Sequence, residues 1–150
     1  MIVRVCHKGR YLPISLNIKR RIILNCQFSI VNSTKMANAI QDKSRAFAIN
    51  IINCYKFLIE EQHEYIMSRQ LLRCGTSVGA NTRESKNAQS RNDFLSKLCI
   101  ALKEADETDY WLDLLHATGY IDDDMYDSLA NDCAEIIKIL TAIIKTLRGE

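Results

Sequence analysis

Basic residues follow one face of a helix predicted over about residues 68–88, and they are the side chains best suited to chemistry. Arg69, Arg73 and Arg83 lie along this face, with Lys86 beside it. Residues 69–103 carry seven basic and two acidic side chains, a net charge of +5. Guanidinium groups spaced along a face suit phosphate oxygens. Two interpretations stay open: a face that binds RNA or DNA, and a solvated face paired with acids of a neighbouring helix.

Polar groups on another face of this helix predict a network with the next helix. Ser77, Asn81 and Glu84 follow at i, i+4 and i+7, and the next predicted helix offers Glu104 and Glu107. A buried network of this kind must be fully hydrogen-bonded, and it fixes the register of two helices. We interpret these residues as structural, with a direct ligand role for Asn81 and Glu107 as the alternative.

Two glycines interrupt the same helix one turn apart, at Gly75 and Gly79. A glycine inside a helix costs about 1 kcal/mol relative to alanine. We therefore expect a tertiary reason, either close approach of a neighbouring helix or a bend.

Metal and enzyme motifs are weak in this sequence. The pairs Glu60-x-x-His63 and Asp113-x-x-His116 have the spacing of di-iron bundles, but both fall at predicted helix ends. No nucleophile–base pair, phosphate loop or dinucleotide fingerprint is present. The sequence therefore predicts no catalytic residue, no metal and no cofactor.

The elements that must position these residues are four helices, which predict an all-α, antiparallel up-down-up-down four-helix bundle. They cover about residues 39–61, 68–88, 90–119 and 122–147. Ser90 is a good N-cap and Gly119 a good C-terminal cap. Apolar residues at helical spacing predict the core: Phe47, Ile51, Cys54 and Leu58 in the first helix, Phe94, Leu98, Ala101, Ala105, Leu112 and Leu115 in the third, and Leu129, Cys133, Ile136, Leu140, Ile143 and Leu147 in the fourth.

Composition agrees with a helical, cytoplasmic protein. One proline and five glycines in 150 residues are too few for the turns of an all-β domain. No apolar run reaches 18 residues, so we expect no membrane partner. Six cysteines without a C-x-x-C pair are typical of buried thiols in a reducing cytoplasm.

The first 35 residues differ from the rest. They contain no acidic residue, and segments 1–5, 11–18 and 22–31 resemble short strands without partners. We expect the domain to cover residues 36–150 and to start at Met36, with residues 1–35 a disordered extension or an upstream mis-start. A basic nucleic-acid arm is the alternative.

The motif Arg73-Cys-Gly-Thr-Ser-Val-Gly-Ala-Asn81, followed by Arg83-Glu84, resembles the core of the 23S rRNA intervening-sequence proteins, also labelled S23. Glu107-Thr-x-Tyr-Trp-Leu112 and Gly119-Tyr-Ile121 extend the similarity, which covers about residues 39–147. The resemblance implies a four-helix bundle that forms a homopentamer. A related branch, the accessory proteins of diversity-generating retroelements, forms a basic pentamer that binds nucleic acid. Residues 42–150 differ from that branch, since 13 basic and 18 acidic residues give a net charge of −5.

Aromatic and aliphatic side chains off the main stripes predict contacts between subunits. They are Tyr110, Trp111, Leu114 and Tyr126. The sequence thus predicts a non-enzymatic oligomer that binds RNA or DNA through its second helix, and the alternative is a scaffold whose partner is another protein.

Overall fold

The computed structural model describes residues 5–7, 10–12 and 39–149. The chain divides into two compact units, Met1–Lys35 and Met36–Glu150. In the first unit, β1 (Val5–His7) pairs antiparallel with β2 (Arg10–Leu12), and Cys6 lies opposite Tyr11. The expectation of strands without partners is wrong for this pair, whereas the predicted segment 22–31 and the predicted start at Met36 lie outside the described residues.

The second unit holds four helices, which confirms the predicted all-α bundle. They are α1 (residues 39–60), α2 (Met67–Ser85), α3 (Arg91–Ala117) and α4 (Asp123–Arg148). Contacts join the start of one helix to the end of its neighbour, so consecutive helices run antiparallel. These contacts are Ser44 with Thr82, Lys97 with Glu84, and Arg91 with the Leu147 carbonyl.

The predicted helix ends at α3 and α4 are confirmed by their capping bonds. The Ser90 hydroxyl accepts from the amide of Asp93 at 3.1 Å. Gly119 has a left-handed backbone with φ of 76°, and the amide of Tyr120 reaches back to the Leu115 carbonyl at 2.9 Å, which closes the end of α3. Asp122 caps α4 by accepting from its third residue, Met125, at 2.9 Å.

The core follows the predicted stripes, except that Phe94 in α3 and Ile143 and Leu147 in α4 are half-buried. Phe47, Ile51, Cys54 and Leu58 are all buried in α1. In α4 the seam predicts Ile143, whereas Ile144 is the buried residue and Ile143 is half-buried. A straight helix has 3.6 residues per turn, so a 3.5-residue repeat moves off the buried side by about 20° per heptad.

Glu64 caps α2 from the preceding loop. Its carboxylate accepts from the amides of Ile66 and Met67 at 2.9 Å and from that of Ser68 at 2.6 Å. His63 just before it has a left-handed backbone, with φ of 53°. Burial by itself raises the pKa of the Glu64 carboxyl, but the hydrogen bonds from Met67, Ser68 and Ile66 outweigh it and hold the pKa below its ordinary value.

We expect Glu64→Gln to lower the free energy of unfolding at pH 7 by about 1–2 kcal/mol, because it removes the negative charge from the group that accepts hydrogen bonds from three backbone amides. A lowered folded-state pKa means that this stabilisation is present at neutral pH and is lost as the pH falls through that pKa. The gap between wild type and variant should therefore narrow below about pH 4. Urea unfolding at pH 7 and at acidic pH measures this gap. Glu61→Gln, an exposed neighbour, is the control, and an equal loss in both variants would contradict the capping role.

Candidate functional site

The basic residues of α2 separate into two groups in the structure. Arg73 turns towards α3, where its guanidinium pairs with Glu107 and lies 3.6 Å from Glu104. Arg69, Arg83 and Lys86 are exposed, and within residues 39–149 no carboxylate lies within 4 Å of their charged groups. Arg73 thus fits the interpretation of a paired face, while the other three residues stay available to a partner. We call Arg69, Arg83 and Lys86 the basic face.

A groove between α1 and α2 is lined by two of the three residues of the basic face. Its volume is about 680 Å³, and Arg83 and Lys86 line it on the α2 side. Arg45 of α1 lines it as well, and Asp42 is the one acidic residue among the described residues that line it. Three cations against one anion leave this groove with a net charge of +2. We call it the α1–α2 groove.

Small residues form part of the groove and explain one of the two glycines. Ala48, Gly79 and Ala80 line it together with Thr76. A Cβ at Gly79 would lie 3.3 Å from the Ser44 carbonyl oxygen, so the missing side chain lets α1 approach α2 closely. The predicted close approach of a neighbouring helix is confirmed, and the neighbour is α1.

A buried pair of hydroxyls joins α1 and α2 at the same level. Ser44 Oγ and Thr82 Oγ1 are 2.8 Å apart, and both side chains are buried. Thr82 also donates to the Gly79 carbonyl at 2.9 Å. This pair fixes the register of the two helices that carry Arg45 and Arg83.

The predicted polar network exists in part, with different partners. Glu104 and Glu107 do face α2, but they meet Arg73. Glu84 pairs with Lys97 at 2.5 Å. Asn81 is half-buried and donates to the carbonyl of Ser77 at 3.0 Å within its own helix.

The contacts that Glu84, Glu104 and Glu107 make between α2 and α3 are therefore ionic. Glu107 also accepts from the indole nitrogen of Trp111 at 3.3 Å, which holds the carboxylate beside Arg73. Because Asn81 bonds within α2, replacing it leaves Glu107 paired. The sequence pattern correctly predicted that Glu104 and Glu107 face α2, but their partner is Arg73 and not Asn81.

Arg45 is the functional candidate that sequence reasoning missed. It stands outside the apolar stripe of α1, where an exposed arginine is ordinary. Only the pairing of α1 with α2 places it beside Arg83 and Lys86. Nothing in its local sequence separates it from the other exposed cations.

The described cysteines and histidines carry no catalytic arrangement. Burial raises the pKa of Cys54 to about 11 and that of Cys133 to about 12, so both thiols stay protonated at neutral pH. His116 pairs with Asp123 at 2.7 Å and stacks on the ring of Tyr126. Within residues 39–149 and the two strands, no three His, Cys, Asp or Glu side chains are placed to hold a metal ion.

Apolar side chains reach the surface, though not all those predicted. Tyr110 is 55% exposed, whereas Trp111 and Tyr126 are half-buried against the core and Leu114 is half-buried. Ile66, at 78%, is the most exposed large hydrophobic residue in the part of the chain that is described. No described helix is long and apolar enough to span a bilayer.

Comparison with known proteins matches the bundle rather than the first unit. A family model described as 23S rRNA-intervening sequence protein matches residues 36–142. The chain is also similar to a crystallised protein of unknown function from the S23 ribosomal protein family of Bacteroides thetaiotaomicron. The two are 57% identical, the match covers 73% of this chain and 98% of that chain, and the TM-score is 0.72. No curated protein matches the chain.

Proposed function

The chain belongs to the 23S rRNA-intervening sequence protein family, and from that starting point we propose that it is a non-enzymatic, cytoplasmic oligomer that binds RNA or DNA through the basic face. The observation that carries this proposal is the convergence of unpaired cations on a concave surface. Arg83 and Lys86 line the α1–α2 groove, with Arg45 beside them. Arginine and lysine in this arrangement suit the phosphates of nucleic acid.

The amino-acid sequence supports the availability of these cations. Residues 1–41 contain no acidic side chain, so Glu150 alone supplies carboxylates outside the described residues. Other exposed cations, such as Lys56 and Lys138, do not line this groove. The cations of the α1–α2 groove, Arg45, Arg83 and Lys86, therefore differ from the other exposed cations because they share one concave surface.

The exposed apolar residues support an assembly. Ile49, Tyr65, Ile66 and Tyr110 are each at least 42% exposed, and Tyr65 and Ile66 adjoin in the chain. We propose that copies of the chain cover part of this apolar surface, and the family resemblance makes five the proposed number. A ring would repeat the basic face around one axis, and repeated weak contacts raise the overall affinity when several reach one strand. Light scattering of the full chain should give a mass several times 17.2 kDa, and a monomer would contradict the assembly.

We expect the triple variant Arg69→Glu, Arg83→Glu, Lys86→Glu to bind a fluorescein-labelled RNA at least about 100-fold more weakly than wild type at low salt. Fluorescence anisotropy measures the affinity. The control is Lys103→Glu, Lys138→Glu, Lys145→Glu, which makes the same change in net charge at exposed positions on α3 and α4. Equal losses in both triple variants would show that net charge alone drives binding and would contradict a site on α2.

A protein-binding scaffold is the second candidate, and Ile66 and Tyr65 favour it. These neighbouring side chains are 78% and 50% exposed in the loop between α1 and α2. An oligomer that binds neither RNA nor DNA at low salt would favour the scaffold over the nucleic-acid proposal.

A further inference from the structure

We infer that the α1–α2 groove takes the phosphodiester backbone of a single nucleic-acid strand and does not select among bases. This inference rests on the proposed function and specifies the form of its ligand. It assigns a binding role to Arg45, on the opposite wall of the groove from Arg83 and Lys86.

The width of the groove favours one strand over a duplex. Its walls are two packed helices, whose axes typically lie about 8–10 Å apart. Gly79 lets these helices approach closely, and the hydroxyl oxygens of Ser44 and Thr82, 2.8 Å apart, join them at the same level. The groove volume of about 680 Å³ is that of a small-ligand site, so a duplex cannot enter it. A flexible single strand can place its backbone between the walls.

The lining chemistry favours the backbone over the bases. Of the described residues that line the groove none is aromatic, so they offer no stacking platform of the kind on which proteins hold unpaired bases. Its charged groups are Arg45, Arg83 and Lys86 against Asp42. Cations on two walls bind phosphates at any base sequence.

A matched pair of variants tests the role of Arg45 with the full chain. Arg45→Gln should weaken the binding of a single-stranded 12-nucleotide RNA about tenfold, since it removes a charged contact. Lys56→Gln is the control: it stands on the same face of α1, three turns further on and outside the groove, and should change the affinity less than about twofold. Thermal melting should show both variants folded, because both positions are exposed.

A second pair tests the groove without changing charge. Ala80 is exposed and lines the groove, so Ala80→Leu narrows it and should weaken single-strand binding at least about threefold. Ala46→Leu, exposed on α1 outside the groove, should leave binding unchanged. Equal affinities for these two variants would overturn the groove as the site.

The ligand is tested with oligomers of uridylate and adenylate, a 12-base-pair duplex and inorganic polyphosphate. We expect the two homopolymers to bind within about threefold of each other, the duplex to bind at least about tenfold more weakly, and polyphosphate to compete. A duplex that binds as well as the single strand, or a strong preference for one base, would overturn this inference while leaving the proposed function in place. RNA binding that is unaffected by Arg45→Gln would also overturn this inference and leave the proposed function in place. If no oligonucleotide binds but polyphosphate does, the groove is a site for free polyphosphate, and the proposed function fails as well.

Discussion

Gly75→Val is expected to lower the free energy of unfolding by about 2–3 kcal/mol, because the new side chain overpacks the contact between α1 and α2. A Cβ at Gly75 would lie 2.8 Å from Ile51 Cγ1 and 2.9 Å from Cγ2. Ile51 is fully buried, and Cγ1 and Cγ2 are the two branches of its Cβ, so the side chain cannot swing away into solvent. The variant must therefore push the two helices apart. Urea unfolding of the full chain measures the loss.

Two comparisons separate overpacking from other causes. Ala80→Val, at an exposed position of the same helix, reports the intrinsic cost of valine and should stay within about 0.5 kcal/mol. Ile51→Ala alone should cost about 2–5 kcal/mol by leaving a cavity, but in the Gly75→Val background it should cost much less because valine fills that space. Additive losses would contradict direct contact between the two positions. So would a Gly75→Val variant as stable as wild type.

Arg73→Glu is expected to destabilise the bundle by about 2 kcal/mol, because it places a third carboxylate beside Glu104 and Glu107. The Glu104 side chain is only 19% exposed, so repulsion there is poorly screened by water. The Arg73 side chain is half-exposed, and this limits the effect because solvent screens its attraction to the two carboxylates.

Arg69→Glu is the matched control for Arg73. It lies one turn earlier on α2, is exposed, and has no carboxylate within 4 Å in the described residues. Its stability should change by less than about 0.5 kcal/mol. Chemical denaturation of both variants checks the difference. Similar stabilities would mean that the Arg73 pairing contributes nothing to the link between α2 and α3.

The helices could be predicted from local patterns because their determinants lie close together in the chain. Ser90 and Asp93 form the cap of α3 within four residues, and Gly119 ends it through its own backbone conformation. The stripe from Phe47 to Leu58 repeats every three or four residues, so one helix defines its own buried face.

The site could be predicted only in part because its geometry depends on pairs of helices. Gly75 and Gly79 indicated a close approach, but a single helix does not show that Ile51 and Ser44 are the groups approached. The same limit applies to Arg73, whose acids are more than 30 residues away in sequence.

Arg45 shows this limit most clearly. It joins the α1–α2 groove through the packing of α1 on α2, and nothing in its local sequence separates it from other exposed cations. Periodicity predicts which residues face outward, whereas the fold decides which of them meet.

The central claim is that the cations of the α1–α2 groove, Arg45, Arg83 and Lys86, bind nucleic-acid phosphates, and the salt dependence of RNA binding by the full chain tests it most directly. Each phosphate neutralised on a single strand contributes about −0.7 to the slope of log K against log salt concentration. The three cations of the α1–α2 groove therefore predict a slope of about −2, or roughly a twentyfold loss of affinity between about 50 and 200 mM salt. An oligomer that engages several grooves would give a steeper slope. Binding that does not change with salt, or no binding at the lowest salt, would contradict the claim.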